Sequence, residues 1–414
     1  MTDKPAEPKR ILHLGKFFPP FRGGMETFLR SLVAEQQRQG LIVATLVHSG
    51  EKRFFSEQKS IEWRGQRLSL DLAGRWFTVA FAPVSPSYPL RLAALIKEFK
   101  PDVLHIHMPN PSAFFCMLLP AARRLPWVVH WHSDVVTSPH SAKLRLLYQL
   151  YRFPERALLR RARRIVATSP PYLQSSKPLL TVRQKCTVVP LGIEDISNHN
   201  LSEPSSNLDN DDSAAGDSVS VLAVGRLTYY KGFFDLLRAM QLLPEVRLTL
   251  VGDGDFRDQL KELAADLALG GRVNFVHSCS DEDLVARYAS CDILCMSSIE
   301  RTEAFGVVLL EAMRAQVACV VTNVEGSGMQ WVVDAPNAGL VARAGDAQDL
   351  AHKIQLLMED RALRNTLGKQ GRRRFLEHFT VSRCAELMSP VYQQAIDGKA
   401  DEDNAGSIRK SGST

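Results

Sequence analysis

Short apolar runs alternate with amphipathic segments along almost the whole chain. Runs rich in Val, Ile and Leu predict buried β-strands, and apolar residues at helical spacing predict helices between them. The predicted strands are residues 11–14, 41–47, 103–107, 127–131, 165–168, 187–190, 221–224, 248–251, 273–276, 293–296 and 318–322. The predicted helices are residues 25–39, 91–99, 141–159, 233–243, 257–267 and 284–289. This alternation predicts an α/β protein whose parallel sheets are covered by helices on both faces.

A polar, acidic segment at residues 197–218 lacks core-forming residues and interrupts this alternation. Its composition predicts a flexible linker between two doubly wound, Rossmann-like domains. We expect these domains at residues 1–196 and 219–380, followed by a helix at 381–398 that packs back on the first domain and a disordered tail at 399–414. Ligands of such sheets bind beyond the carboxyl ends of the strands, so we expect the two sheets to face a central cleft.

The overall composition favours a globular cytoplasmic protein. Of the 414 residues, 45% are hydrophobic, yet no apolar run approaches the length of about 18 residues that indicates a membrane span. The first ten residues are polar and lack the apolar core of a secretion signal. The seven cysteines lie in apolar segments, as expected for reduced thiols.

Positive charge is concentrated in the first half of the chain. Residues 1–195 contain 29 basic and 14 acidic residues, whereas the whole chain has a net charge of only +6. The densest basic cluster lies on a predicted helix and comprises Arg152, Arg156, Arg160, Arg161, Arg163 and Arg164. Such a helix can bind the anionic inner face of a membrane, at about 1 kcal/mol per basic residue, or it can be a solvated surface helix. No nucleic-acid-binding motif accompanies the charge, so we expect no nucleic-acid partner.

Two carboxylates flank an apolar stretch in the second half of the chain. The spacing predicts Glu303 in a loop with Phe305 and Gly306, and Glu311 within the helix that follows. Burying an acid in such surroundings costs free energy unless it binds something, and sugar hydroxyls are suitable hydrogen-bond donors to it. The alternative is an amphipathic helix with a charged edge.

Two predicted strand-to-helix loops carry residues that suit an anion. Gly23 and Gly24 directly precede a helix, where backbone N–H groups are free, although the same pattern is common in ordinary turns. Arg226 and Lys231 follow a strand in the second half, and a planar guanidinium with a mobile ammonium suits a diphosphate. The alternative is a pair of solvated loop cations.

Two groups of residues are candidate metal ligands. For Asp253 and Asp255 we favour a tight turn with helix capping over a metal pair. Four histidines end successive predicted strands as His-x-His pairs, and alternate residues share one strand face, so we expect the imidazoles to converge. They are His105, His107, His130 and His132. Four imidazoles could bind zinc. No ligating Cys, Asp or Glu accompanies these histidines, so we favour packed or hydrogen-bonded histidines and expect no metal.

Taken in order, these segments resemble the retaining family 4 of the GT-B glycosyltransferases, from about residue 11 to residue 393. The similarity rests on PFRGGME at 20–26, HSD at 132–134, SPPY at 169–172, VPLG at 189–192, VGR at 224–226, KG at 231–232, VGDG at 251–254, EAFG at 303–306, EAM at 311–313 and GSG at 326–328. Within the family, the chain looks most like bacterial mannosyl- and rhamnosyltransferases of O-antigen or exopolysaccharide synthesis.

The resemblance implies a site for a nucleotide-diphosphate sugar that needs no divalent metal and no other cofactor. Arg226 and Lys231 would hold the diphosphate, and Glu311 would bind the ribose hydroxyls. Glu303 would grip the transferred sugar, and His132 would lie beside its reacting face. The other donor-binding positions that the resemblance implies are Gly23, Gly24, Gly252, Phe305, Gly306 and Val307.

The chain departs from the family pattern near the expected nucleotide pocket. Gln316-Val317-Ala318 replaces the usual Gly-x-Pro, and His277-Ser278 stands where a glycine is common. The activity that the resemblance implies is transfer of a hexose or deoxyhexose, mannose or rhamnose, from a GDP-sugar, or from a UDP-sugar, to a lipid-linked glycan at the cytoplasmic membrane. The alternatives are a nucleotide-sugar epimerase, a soluble disaccharide synthase and a non-catalytic nucleotide-sugar-binding subunit.

Overall fold

The computed structural model describes residues 7–21, 23–79, 82–135, 142–196, 218–334 and 337–398. The predicted linker, except Ser218, and the predicted tail lie outside these ranges. The strands are β1 (Arg10–Leu14), β2 (Ile42–Lys52), β3 (Glu57–Trp63), β4 (Gln66–Arg75), β5 (Phe77–Val79), β6 (Ala82–Val84), β7 (Val103–Met108), β8 (Trp127–Trp131), β9 (Arg164–Ala167), β10 (Cys186–Val188), β11 (Val219–Val224), β12 (Val246–Val251), β13 (Val273–Val276), β14 (Ile293–Met296), β15 (Ala318–Thr322) and β16 (Leu340–Ala342). The α-helices are α1 (Gly24–Arg38), α2 (Tyr88–Phe99), α3 (Pro120–Arg124), α4 (Ala142–Arg161), α5 (Pro170–Ser175), α6 (Lys177–Leu180), α7 (Phe233–Gln241), α8 (Arg257–Asp266), α9 (Asp281–Ser290), α10 (Val307–Arg314), α11 (Met329–Val332), α12 (Ala347–Glu359), α13 (Arg361–His378) and α14 (Val381–Asp397).

The chain divides into two compact units. The first combines Met1–Leu191 with Val381–Thr414, and the second is Gly192–Thr380. Helix α14 therefore belongs to the first unit, where it packs against α1 and against strands β7, β8 and β9.

The first unit is built on an eight-stranded sheet in the order β10-β9-β8-β7-β1-β2-β4-β3. Every pairing is parallel except that of β3 with β4, which form an antiparallel hairpin at one edge. The order reverses at β1, because β2 lies on one side of it and β7 on the other. The carboxyl ends of β1 and β7, between which the order reverses, are therefore where this fold class places a ligand.

The basic cluster of the sequence does not lie on one helix as predicted. Helix α4 ends at Arg161, and Arg164 is a buried residue that begins strand β9. The guanidinium of Arg161 lies 4.8 Å from the centre of the Trp127 ring, and Arg163 donates a hydrogen bond of 3.1 Å to the carbonyl of Ala395. These three side chains are engaged within the unit, which leaves a smaller basic surface on α4.

The second unit has a six-stranded, wholly parallel sheet in the order β13-β12-β11-β14-β15-β16. Its core includes Leu236 of α7, Leu248 of β12 and Ile354 of α12, all almost completely buried. The strand order reverses between β11 and β14, so the loops after these two strands frame the expected ligand position. In the part of the chain that the structure describes, no helix has both the length and the apolar character needed to cross a membrane.

Candidate active site

An ion pair joins the two loops at the reversal point of the second sheet. Lys231, in the loop after β11, places its Nζ 2.5 Å from Oε2 of Glu303, in the loop after β14. The two side chains are only 10% and 13% exposed. Burial by itself would lower the pKa of Lys231, but the nearby Glu303 carboxylate outweighs it and raises that pKa above its ordinary value. The lysine is therefore charged at neutral pH.

Two glycines leave the room that Lys231 needs. A Cβ on Gly225 would lie 2.9 Å from Cε of Lys231, and one on Gly232 would lie 2.0 Å from the carbonyl oxygen of Ser297. Gly232 has a φ of +65°, a conformation that side-chain-bearing residues rarely adopt. Ser297 Oγ also donates to the Lys231 carbonyl at 2.9 Å. The loop after β11 is thus fixed directly to the end of β14.

The backbone of Glu303 is held by the Gly326-Ser-Gly segment. Ser327 Oγ donates to the Glu303 carbonyl at 2.5 Å, and the Gly328 N–H donates to the Ala304 carbonyl at 2.8 Å. These bonds fix the loop that leads into α10. The segment therefore has a structural task next to the ion pair.

Glu311 lies in α10 and Glu303 in the preceding loop, as the spacing predicted. The hydroxyl of Tyr288, on α9, donates to Oε2 of Glu311 at 2.6 Å. Burial raises the pKa of Glu311, while the Tyr288 hydrogen bond acts in the opposite direction. One carboxylate oxygen is thus occupied by the tyrosine.

The remaining positions proposed for the donor differ in what they contribute. Arg226 is exposed and near enough to Lys231 for its charge to act on that lysine. The Phe305 ring packs on Trp331 and Phe379. Gly306, at φ +85°, directly precedes α10, and the backbone N–H of its first residue, Val307, has no partner within the helix. A Cβ on Gly252 would lie 2.0 Å from the Gly225 carbonyl oxygen, so Gly252 is needed for loop packing.

The predicted helix capping by Asp253 or Asp255 is wrong. Helix α8 begins after Phe256 and has no side-chain cap. Asp253 instead forms ion pairs with Arg257, at 3.6 Å, and with His277, at 3.3 Å if that histidine is protonated. Asp253 therefore contacts the first residue of α8 and the residue that follows β13.

The first unit presents two further elements at the carboxyl ends of its strands. Gly24 begins α1, and a Cβ on Gly23 would lie 2.2 Å from a carboxylate oxygen of Glu26. His132 directly follows β8 and is 8% exposed. The four predicted histidines converge in this sheet, and a fifth, His13 on β1, joins them in register with His105.

All five imidazoles are buried and lie close together. Ligand atoms within 4.8 Å of one another occur in the sets His13, His105, His107 and His107, His130, His132. The rings stack, with those of His130 and His132 only 4° from parallel. Hydrogen bonds of 3.0 Å join His107 to both His13 and His132. The cluster is therefore a hydrogen-bonded stack that centres on His107.

Two family models match the chain. The model for glycosyl transferases group 1 matches residues 206–374, and the model for the glycosyl transferase 4-like domain matches residues 23–192. Together they span most of both units. The chain is a glycosyltransferase. The predicted enzyme class is thereby confirmed, and the two parallel sheets confirm the predicted α/β fold class.

Curated relatives and solved structures agree with this assignment. The glycosyltransferase is 28% identical to O-antigen chain mannosyltransferase C of Escherichia coli over 94% of its own length and 100% of the relative's. It is 27% identical to the D-rhamnosyltransferase WbpZ of Pseudomonas aeruginosa over 81% and 82% of the two chains. Sucrose-phosphate synthase from Thermosynechococcus elongatus shares the fold, with a TM-score of 0.74 at 23% identity over 94% and 100% of the two chains.

His13, Tyr288 and Ser327 were not predicted to take part in the candidate site. His13 stands alone on its strand, and only the pairing of β1 with β7 brings it to His105. Tyr288 lies on α9, away from every motif, and its role depends on how α9 packs on α10. Ser327 lies within a motif that had been noted without a task. Only the first two lacked any local signal.

Proposed function

We propose that this glycosyltransferase moves a mannose or rhamnose from a nucleotide-diphosphate sugar, with GDP favoured and UDP second, to a growing lipid-linked glycan. The product would belong to O-antigen or exopolysaccharide synthesis. The likeness to an O-antigen mannosyltransferase over the relative's entire length and to a D-rhamnosyltransferase supports the sugar and the pathway class. The observation that carries the proposal is the Lys231–Glu303 pair at the reversal point of the second sheet.

Each charged residue has a task in this proposal. Lys231, with Arg226, neutralises the donor diphosphate, including the charge that develops as it departs. Glu303 accepts hydrogen bonds from hydroxyls of the transferred sugar, and Glu311 from those of the ribose. His132 is the proposed contact of the first unit with a sugar substrate. Backbone N–H groups of Val307 and of the segment after Gly23 add further donors.

The proposed reaction retains the anomeric configuration by front-face displacement and uses no divalent metal. In that mechanism the departing phosphate accepts the proton of the attacking hydroxyl. The two basic side chains supply the positive charge that a metal supplies in other transferases. Arg226 offers a planar fork and Lys231 a mobile ammonium, which together suit the oxygens of a diphosphate.

A membrane contact through α4 is a further part of the proposal. Leu146, Leu150 and Phe153 are exposed by 70%, 70% and 60%, and their spacing places them on one helix face. Arg156 and Arg160 are also exposed and lie beside that stripe on the same helix. An apolar stripe edged with cations suits an anionic lipid surface. Such a contact would bring the enzyme to a lipid-linked acceptor and to the cytoplasmic face of the membrane.

A donor and acceptor screen tests the proposal. Purified enzyme in EDTA is incubated with GDP-mannose, GDP-rhamnose or UDP-glucose and a polyprenyl-diphosphate oligosaccharide. We expect sugar transfer from a GDP-sugar, with an α-linked product from an α-linked donor. Inversion of the linkage would overturn the retaining mechanism. Free sugar isomers without acceptor would indicate an epimerase, a free disaccharide a soluble synthase, and nucleotide-sugar binding without turnover a non-catalytic subunit.

A further inference from the structure

A continuous chain of hydrogen bonds links five buried side chains of the first unit. Nε2 of His132 lies 3.0 Å from Nδ1 of His107. Nε2 of His107 in turn lies 3.0 Å from Nδ1 of His13. Nε2 of His13 lies 2.8 Å from the amide oxygen of Gln36, whose amide nitrogen donates to the Tyr392 hydroxyl at 2.7 Å. The chain therefore runs from the end of β8 to helix α14.

The three histidines of this chain are neutral at physiological pH. Burial lowers the pKa of His13 to about 4 and that of His132 to about 3. Burial and then the neighbouring imidazoles lower the pKa of His107 well below its ordinary value. A neutral imidazole has one N–H donor and one bare nitrogen that accepts. Each ring in the chain therefore has one nitrogen that donates and one that accepts, which gives the chain of hydrogen bonds a direction.

The amide of Gln36 determines that direction. Because its oxygen faces His13, His13 must carry its proton on Nε2 and accept on Nδ1. His107 must then donate from Nε2 and accept on Nδ1. By the same logic His132 donates from Nε2, and its Nδ1 is left bare. Among the residues that the structure describes, this Nδ1 has no hydrogen-bond partner although it is buried.

Leaving a bare, buried acceptor unpaired costs about 1–3 kcal/mol, and His132 directly follows β8, at the carboxyl edge of the sheet where this fold class binds its ligands. We propose that Gln36, acting through His13 and His107, fixes the tautomer of His132 so that its Nδ1 accepts a hydrogen bond from a hydroxyl of the sugar substrate. Gln36, His13 and His107 are positioning residues, and His132 is the residue that contacts substrate. This inference rests on the proposed function, but the tautomer itself can be measured without turnover.

A metal ion in the same cluster is the competing interpretation. Two zinc ligands at about 2.1 Å from a tetrahedral ion lie about 3.4 Å apart. The two N···N distances at His107 are 3.0 Å, which is the length of a hydrogen bond. Both nitrogens of His107 are thus committed to neighbouring imidazoles. The geometry favours protons over a metal between these rings.

The direct test is the tautomeric state of His132 in the full-length protein. Selective ¹⁵N-histidine labelling distinguishes protonated from bare ring nitrogens, and the signals are assigned with a His132→Gln variant. We expect His132 to be protonated on Nε2 and bare on Nδ1. Protonation on Nδ1, which a reversed Gln36 amide would produce, overturns the proposal. Stoichiometric zinc in protein purified without chelator overturns it as well.

Variants of Gln36 separate positioning from a merely structural role. Gln36→Glu keeps an acceptor facing His13, so we expect the wild-type tautomer of His132. Gln36→Met has a similar size but removes the acceptor, so we expect His132 to become a mixture of tautomers. With an active donor, kcat should fall about tenfold in Gln36→Met and recover in Gln36→Glu. Equal His132 spectra in both variants would contradict the role of Gln36, even if no donor is turned over.

The substrate side of the proposal has its own readout. Fluorine cannot donate a hydrogen bond, so donors or acceptors with single hydroxyls replaced by fluorine locate the group that contacts Nδ1. One such analogue should react more slowly with the wild type and show a smaller penalty in Gln36→Met. If every analogue gives the same penalty in both proteins, the bare Nδ1 does not bind a substrate hydroxyl.

Discussion

Nζ of Lys231 and Oε2 of Glu303 lie 2.5 Å apart, and this pair connects the loops that follow β11 and β14. The cation that we propose for the diphosphate is therefore already in place before any donor binds. Its partner is the carboxylate that we propose for the sugar. A donor would bring negative charge to the lysine and hydroxyl donors to the glutamate, so each partner remains satisfied when the pair opens.

This pair predicts that stability and activity respond differently to substitution. Lys231→Met and Glu303→Gln each leave one poorly solvated charge without its partner, so each should lower the free energy of unfolding by up to about 3 kcal/mol. The double variant should regain most of that stability, because no lone charge remains. All three should lose transfer activity. Urea unfolding and a transfer assay check this, and near-normal turnover in either single variant would contradict the assigned roles.

A second prediction concerns the tyrosine that binds Glu311. Tyr288→Phe removes the 2.6 Å hydrogen bond, which leaves the carboxylate less well oriented. If Glu311 binds the ribose, KM for the donor should rise about fivefold while KM for the acceptor stays constant. Ser290→Ala, which removes an exposed hydroxyl from the end of the same helix, is the control. A change confined to the acceptor KM would refute the ribose role of Glu311.

Acid should destabilise the first unit through its histidines. Burial lowers the pKa of all five imidazoles in the folded state, whereas the unfolded chain takes up protons below about pH 6.5. Stability is therefore lost as the pH falls from about 6.5 towards 4, by up to about 1.4 kcal/mol per pH unit for each histidine. Glu155, whose pKa burial raises to about 7, and Glu311, whose pKa burial also raises, act in the opposite direction but are outnumbered by the five histidines.

Urea unfolding between pH 7 and 5 checks this dependence. The wild type should lose stability steeply over this range, and a variant with His13→Gln should show a shallower slope. The exposed His352, changed to Gln, is the control for the loss of a histidine outside the cluster. A flat stability profile from pH 7 to pH 5 would mean that the cluster is not neutral in the folded protein.

The α4 stripe predicts binding to anionic vesicles. Leu150→Glu with Phe153→Glu should lower co-sedimentation with phosphatidylglycerol vesicles at least tenfold, because both apolar contacts are lost and two negative charges are added. Leu242→Glu changes a leucine that is 53% exposed in the second unit and is the matched control. Equal binding of both variants would exclude α4 as the membrane contact.

The sequence predicted most of the parallel strands, because a short continuous apolar run indicates a buried strand. Strands β8, β13, β14 and β15 have the predicted limits. The β3–β4 hairpin was missed, since its exposed edge strand alternates polar and apolar residues and lacks a continuous run. The available signal in the sequence was Gly65, because the hairpin turn has a positive φ at both Arg64 and Gly65.

The residues of the candidate site also fall into those that the sequence could predict and those that it could not. Lys231, Glu303 and Glu311 could be predicted because each lies in a loop or helix next to a recognisable strand. Tyr288 and His13 could not, because their contacts depend on packing between elements distant in the sequence. The prediction that the arginine cluster lies on one helix was wrong, because Arg164 lies in strand β9 and pairs with the sheet.

Calorimetric titration of GDP and GDP-mannose into the protein in EDTA is the most direct test of a metal-free donor site built on Lys231. We expect the wild type to bind both ligands and Lys231→Met to lose about a hundredfold in affinity, with UDP binding more weakly. Unchanged affinity in Lys231→Met, or binding that appears only when a divalent metal is added, would contradict a metal-free donor site at Lys231.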